Sequence, residues 1–266
     1  MGYICSDIPN TVGFCNRLFK WGVMHLLAST SGPTVLVDWP EFRELELPLT
    51  EFGTPDHTFL PLDTRTLQQP RVNQGDYLCV CGWDFHGFGI QPEWSPLREV
   101  RLSDESAQRM IRSSLAGWVG VHVRRGDFAP ANDLANGFEV NTRIPDDWYL
   151  ELIERIRNAL PDARFYLATD GTEEEQAAFR ALPGLHGREL FDTTVDPKLV
   201  DLFALSSCGL IVGSNSTYSL AAARMTGVPL IWPTDGHQPL DEEHFRLLKQ
   251  LRGLSEGCRL LGRGSG

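Results

Sequence analysis

The chain has 266 residues, 42% hydrophobic and 22% charged, the proportions of an ordinary globular protein with enough length for one large domain or two small ones. Its formal net charge of -11 excludes general nucleic-acid binding, which relies on Lys and Arg to neutralise phosphates. A local basic pocket in so acidic a chain points instead to a small anionic ligand.

No apolar run approaches the length of a membrane span, and the first residues lack the charged-then-apolar pattern of a secretory signal, so no membrane span is expected. Cys5, Cys15, Cys79, Cys81, Cys208 and Cys258 form no C-x-x-C pair and have no zinc-type spacing with His. Several lie inside apolar runs, where a free Cys behaves as a small hydrophobe. They are read as reduced, with a cytoplasmic setting and no metal.

Tyr3-Ile4-Cys5 is too short to assign alone. From Phe14 the apolar positions recur at three and four through Ala28, which predicts a helix of about four turns. Gly13 permits close approach where it begins. Asn16 and Arg17 fall in its first turn, where free backbone N–H groups and the macrodipole favour an anion. The other reading is a core helix with Arg17 exposed. Thr34 to Asp38 is a strand, and Pro40 to Pro70, rich in Pro, Thr and acidic residues, is irregular. Tyr77 to Cys81 is a strand followed by a Gly- and aromatic-rich loop, Gly82 to Gly89, suited to stacking on a sugar or base and equally to plain packing. Ser103 caps a helix from about Asp104 to Leu115.

After that helix, strand and helix alternate regularly. The domain boundary is placed there, giving residues 1–115, residues 116–255 and a tail at 256–266. Val119 to Val123 is a β-branched, alternating run, hence a strand, and it ends in Arg124-Arg125-Gly126-Asp127. A long loop to Pro145 carries Asp133 and Glu139. Asp146 caps a helix reaching about Leu160, with Trp148, Tyr149, Leu150, Ile153 and Ile156 inward. Ala163 to Ala168 is a strand ending in Thr169-Asp170-Gly171. Thr172 with Glu175 makes a capping box for the next helix, which Pro183-Gly184 ends. Glu189 to Phe191 is a short strand. Asp196-Pro197 opens a helix through Leu205, with Pro at its first position. Gly209 to Gly213 is a strand running into Ser214-Asn215-Ser216-Thr217-Tyr218-Ser219 and a helix of small residues. Val228 to Trp232 is a further strand, and Asp241 begins a last helix to about Leu251.

Three strand ends in this half are polar: His122 to Asp127, Thr169-Asp170, and Ser214 to Ser219. Parallel strands joined by helices bring their carboxyl ends to one edge, where ligands of open α/β sheets bind. Arg124 and Arg125 suit phosphate, because a planar guanidinium donates two parallel hydrogen bonds. The Ser- and Thr-rich turn entering a helix donates from hydroxyls and backbone alike. Together they make a pyrophosphate clamp, with Asp170 or Asp201 accepting from a base or ribose. The competing reading is an exposed basic turn paired with Asp127. There is no Walker motif, no G-x-S-x-G elbow and no triad. His25, His57, His86, His186, His237 and His244 show no ligand spacing.

His122-Val123-Arg124-Arg125-Gly126-Asp127 resembles the H-x-R-R-x-D motif of the GDP-fucose-dependent fucosyltransferase superfamily, which spans α1,2- and α1,6-fucosyltransferases and protein O-fucosyltransferases. Gly13 to Phe19 is similar to their G-x-G-N-[QR]-x-F segment, with Cys15 in place of a Gly. Asp201 to Cys208, followed by Ser214 to Ser219, resembles the α1,2 pattern of an acidic residue, LS-C and N-S-S-x-S, but continues as Leu220-Ala221-Ala222-Ala223 in place of tryptophans. Leu167-Ala168-Thr169-Asp170 resembles the A-T-D of the α1,6 enzymes.

The resemblance implies an α/β protein of GT-B type, two Rossmann-like domains with the donor site at strand C-terminal ends. Residues 1–115 would be the acceptor side and 116–255 the GDP-sugar side. It implies an inverting, metal-independent transfer of fucose from GDP-fucose to a glycan or protein hydroxyl, with no cofactor. His122, Arg124 and Asp127 would be catalytic. Asn16, Arg17, His122, Arg124, Arg125, Asp170, Asp201, Asn215, Ser216 and Thr217 would bind the donor. Asp127 is the preferred base, with Asp133 and Glu139 on the loop beyond it; its other role is to orient Arg124 through an ion pair. A GDP-sugar-binding protein without catalysis, or a transferase using another GDP-sugar such as GDP-mannose, stays open.

Overall fold

The computed structural model describes residues 2–54, 60–62, 77–80, 96–126, 128, 143–231 and 233. It divides into two compact units between Glu105 and Ser106. The helix that begins at Glu105 thus lies mainly in the second unit.

In the first unit, β1 (Tyr3–Ser6), α1 (Phe14–Ser31), β2 (Thr34–Val37), β3 (Leu45–Glu46), β4 (Thr50–Phe52), β5 (Leu60–Leu62), β6 (Tyr77–Val80) and β7 (Arg101–Leu102) follow in order. A five-stranded sheet runs β4-β2-β1-β6-β5, every pair parallel, while β3 and β7 form a separate antiparallel pair. α1 buries Phe14, Leu18, Trp21, Met24 and Ala28 at helical spacing. It stops where Gly32, at φ 84, adopts the left-handed cap and donates its N–H to the Ala28 carbonyl. The stretch expected to be irregular is ordered from Pro40 through Phe52. Phe42 is buried in a 3-10 turn over Pro40–Glu44, and β4 pairs with β2 as an edge strand. A three-residue strand is too short to show alternation, which is why the pattern did not reveal it.

The second unit contains α2 (Glu105–Leu115), β8 (Val119–Val123), α3 (Asp146–Ala159), β9 (Phe165–Thr169), α4 (Glu173–Arg180), β10 (Leu185–His186), α5 (Pro197–Ser207), β11 (Leu210–Val212), α6 (Thr217–Thr226) and β12 (Leu230–Ile231). Its sheet runs β10-β9-β8-β11-β12 and is wholly parallel. The chain winds outward through β9 and β10, then returns to lay β11 against the other side of β8. This reversal makes the β8/β11 crevice the topological switch point, where open α/β sheets bind ligands beyond the strand ends.

Alternation assigns the two faces. Val119, Val121, Val123, Phe165, Leu167, Leu210 and Val212 pack with Trp148, Tyr149, Leu152, Ile153 and Ile156 of α3 and with Phe179 of α4. Gly120 lies on the opposite face, where a Cβ would stand 2.8 Å from Leu205 Cδ2 of α5. Only glycine lets that helix settle so close to the strand.

Two local expectations are corrected, and a third is met. Glu189 to Phe191 is not a strand: Arg188–Leu190 is a 3-10 turn, and the paired residues are Leu185 and His186. Asp146 is not the cap of α3. Pro145 holds that position, and Asp146 is the first helical residue, its carboxylate taken by Arg125. The helix from Glu105 begins just beyond Asp104. The aromatic loop 82–89, the helix expected from Asp241 and the C-terminal tail lie outside the described residues. Of the cysteines, Cys5, Cys15, Cys79 and Cys208 are buried.

Candidate functional site at the β8/β11 switch point

β8 ends in two arginines that part company. Successive residues of an extended chain face opposite ways, and the two side chains follow that rule. Arg125 turns inward. Its guanidinium donates to the carbonyls of Arg124 and Ile144 at 3.0 and 3.1 Å and pairs with Asp146, leaving 6% of the side chain exposed. It ties the end of β8 to the start of α3, so in this structure its donors are taken up within the fold. Arg124 remains about a third exposed. Its guanidinium lies 5.4 Å over the Phe128 ring and pairs with Asp170 at the end of β9.

Asp170 is a brace. One oxygen accepts the Arg125 backbone N–H at 2.7 Å and the other pairs with Arg124. Both carboxylate oxygens are thus engaged by this loop. Gly126 is required here, because a Cβ would collide with the same carboxylate.

β11 delivers the opposite wall. Ser216 caps α6, its hydroxyl accepting the Tyr218 N–H at 3.2 Å, and Asn215, Ser216 and Thr217 are half-buried in the turn. Below them Ser214 and Ser219 converge on His122. Ser219 Oγ is 2.6 Å and Ser214 Oγ 3.0 Å from His122 Nδ1, while the Ser214 N–H donates to Ser219 Oγ at 3.1 Å. The Tyr218 ring lies 4.9 Å from the imidazole, and its hydroxyl donates to the Lys198 carbonyl at the start of α5. Burial, helped by the nearby Arg124 charge, lowers the His122 pKa to about 3. The ring is therefore neutral at physiological pH. A base that weak carries few protons, and the two serine contacts fit a residue that fixes the register of β8 against α6.

Asp201, expected to bind the donor, has its own partners. Asp201 sits on α5, 7% exposed, accepting from the Tyr166 hydroxyl at 2.7 Å and facing Arg188 at 3.5 Å. Burial raises its pKa to about 7. Arg17 and Asn16 belong to the first unit. Arg17 is neither exposed nor open to an anion: it is 2% exposed, forks onto both Glu41 oxygens at 2.9 and 2.5 Å, and lies 5.9 Å from the rings of Trp39 and Phe42. Asn16 Oδ1 is buried without a hydrogen bond among the described residues. Asp127, Asp133 and Glu139 lie outside those residues. Sequence reasoning missed Asp146, Glu41 and Phe128 as partners of the three arginines, and no spacing signal marks any of them.

Among the described residues no group of three or more His, Cys, Asp and Glu side chains is placed to hold a metal ion, and no helix is long and apolar enough to cross a membrane.

No protein-family model matches the chain, and no curated protein matches it. Solved structures do. NodZ alpha-1,6-fucosyltransferase soaked with GDP-fucose is 15% identical, with a TM-score of 0.52 over 91% of this chain and 96% of that one. Fucosyltransferase NodZ from Bradyrhizobium, as its selenomethionine form, is 14% identical, with a TM-score of 0.51 over 89% and 96%. POFUT1 in complex with GDP-fucose is 15% identical, with a TM-score of 0.50 over 87% and 97%. At these identities the likeness is one of architecture: the chain has the α/β fold shared by the NodZ fucosyltransferases and POFUT1.

Proposed function

We propose that the protein is a GT-B type glycosyltransferase that moves fucose from GDP-fucose to a glycan or protein hydroxyl, with inversion and without a metal or other cofactor. The observation that carries this reading is that β8, which ends at Arg124, lies parallel beside β11, which leads into the capped N-terminus of α6, so both reach one sheet edge. A guanidinium and a helix start with Ser216 and Thr217 are complementary to two adjacent phosphates. The ordered motif resemblance and the GDP-fucose in the NodZ and POFUT1 crystals favour this donor. Cysteines buried within apolar runs, with no zinc-type spacing, fit a reducing, cytoplasmic setting.

In the proposed step an acceptor oxygen attacks the anomeric carbon. The bond from that carbon to the β-phosphate oxygen breaks, the electron pair leaves with GDP, and the acceptor proton passes to a base. Arg124 stabilises the charge that grows on the leaving diphosphate, the task a divalent cation performs elsewhere. Asp127 follows Gly126 directly and is the proposed base.

Calorimetric titration with GDP and GDP-fucose, in EDTA, tests the donor site. Wild type should bind both, and Arg124→Ala should weaken GDP by at least about tenfold, a loss of ~1.4 kcal/mol or more. An unchanged GDP affinity in the variant removes the phosphate role. Acceptor-dependent GDP release separates transfer from mere binding. Asp127→Asn should slow that release while leaving GDP affinity intact; a lower melting temperature with unaltered turnover makes the residue structural.

A further inference from the structure

Arg124 is held from two directions. Asp170 pairs with an edge of its guanidinium, and the Phe128 ring covers a face at 5.4 Å. An edge contact alone lets a planar group tilt about the line of that contact. A ring against the face removes the tilt, and an aromatic face attracts a cation at this distance. Phe128 is buried, so its side of the contact is largely closed to water.

The ring is in turn placed by its own backbone. The Phe128 N–H donates to the Arg125 carbonyl at 3.0 Å, the closing bond of a β-turn at the end of β8. The Phe128 carbonyl accepts from Arg143 Nε at 2.8 Å. Arg143 donates a second bond, from Nη1 to Glu175 Oε1 at 2.8 Å. Glu175 is itself fixed. Its other oxygen accepts the Thr172 N–H at 2.8 Å in the capping box of α4, and that bond first, with the Arg143 charge after it, holds its carboxyl below the ordinary range. The contacts therefore run from the N-terminus of α4 through Arg143 to Phe128 and end on the Arg124 guanidinium. Phe128, Arg143 and Glu175 all lie outside the motifs that suggested the donor.

We propose that Phe128 and Arg143 are positioning residues for the phosphate contact: Phe128 holds the Arg124 guanidinium in the plane that Asp170 begins to set, and Arg143 holds Phe128. Neither touches the donor, and both act through Arg124. The proposal rests on the GDP-sugar reading above. A guanidinium ordered beforehand meets the diphosphate without first losing the freedom of a long side chain, a loss worth about two- to tenfold in affinity.

The test is a double-mutant cycle, read by calorimetric titration of the full chain with GDP. Phe128→Leu keeps an apolar side chain without a ring, Phe128→Tyr keeps the ring, and Arg143→Met keeps the length without the donors. Each is made with Arg124 present and in the Arg124→Ala background. With Arg124 present, Phe128→Leu and Arg143→Met should each weaken GDP about two- to tenfold, and Phe128→Tyr should bind as wild type does. In the Arg124→Ala background all three should have no further effect, because the residue they act through is gone. A merely structural role moves the melting temperature but not this coupling. Should Phe128→Leu fail to fold, Arg143→Met, whose native side chain is 30% exposed, carries the test. If Arg124→Ala weakens GDP but the folded variants leave it unchanged, or weaken it equally in both backgrounds, the positioning role is wrong and the donor reading stands. If wild type binds no GDP, or Arg124→Ala leaves its affinity unchanged, the phosphate reading falls and this proposal falls with it.

Discussion

Arg125 donates to two backbone carbonyls and to Asp146 from a position almost closed to solvent. Arg125→Ala would strand the Ile144 and Arg124 carbonyls and free a half-exposed carboxylate. The expected cost is about 1–3 kcal/mol of stability, set by unmade hydrogen bonds in a buried place. GDP affinity of the folded variant should stay at the wild-type value, the reverse of the Arg124→Ala pattern. Chemical denaturation beside calorimetry reads both; weaker GDP binding at unaltered stability would return Arg125 to the phosphates. The sequence shows two arginines with equal claims, and residue type cannot separate them. Strand geometry separates them, since one of any two neighbours must face the opposite way. Arg17 carries the same lesson. Its helix and its place in the first turn were legible, but Glu41 comes to it through a 3-10 turn that no periodicity announces.

Elements were most legible where a local rule had a unique solution. Thr172 and Glu175 form both halves of the capping box, and Asp196 accepts the Lys198 N–H with Pro197 at the first helical position. Five-residue strands such as β8 and β9 show their alternation, and so do the faces of α3. Two-residue strands do not. β10 is defined by pairing with β9 rather than by its own pattern, so Leu190-Phe191 after Glu189 was the more strand-like text although Arg188–Leu190 forms a turn. The convergence of His122, Asp170 and Ser219 was legible from the βαβ rhythm alone. What the rhythm could not give was depth: His122 and Asp170 arrive at the right edge, but as internal partners of Ser214, Ser219 and Arg124 rather than as open ligands.

At the scale of the whole molecule, a chain of net charge -11 already gains repulsion as pH rises, and Asp201 adds a specific cost. Its carboxyl is raised from the ordinary carboxylate range to about 7, first by burial; the Tyr166 hydrogen bond and the Arg188 charge oppose that shift and Glu189 adds to it. A carboxyl raised by folding is favoured in its protonated form. Between about pH 4 and 7 the folded chain holds this proton better than the unfolded chain, so the Asp201 contribution to stability is greatest below about pH 4 and is lost as pH climbs through 7. A difference of about three pH units corresponds to no more than ~4 kcal/mol. Asn at this position keeps an acceptor for Tyr166 and carries no charge. The stability of Asp201→Asn minus that of wild type should therefore rise across pH 4 to 7 and level off above. Urea unfolding of both proteins across that range measures it, and common effects of the other carboxylates cancel in the difference. A pH-independent difference would mean that Asp201 does not titrate in this window. A difference that falls with pH would mean that Tyr166 and Arg188 stabilise the ionised carboxylate by more than burial penalises it.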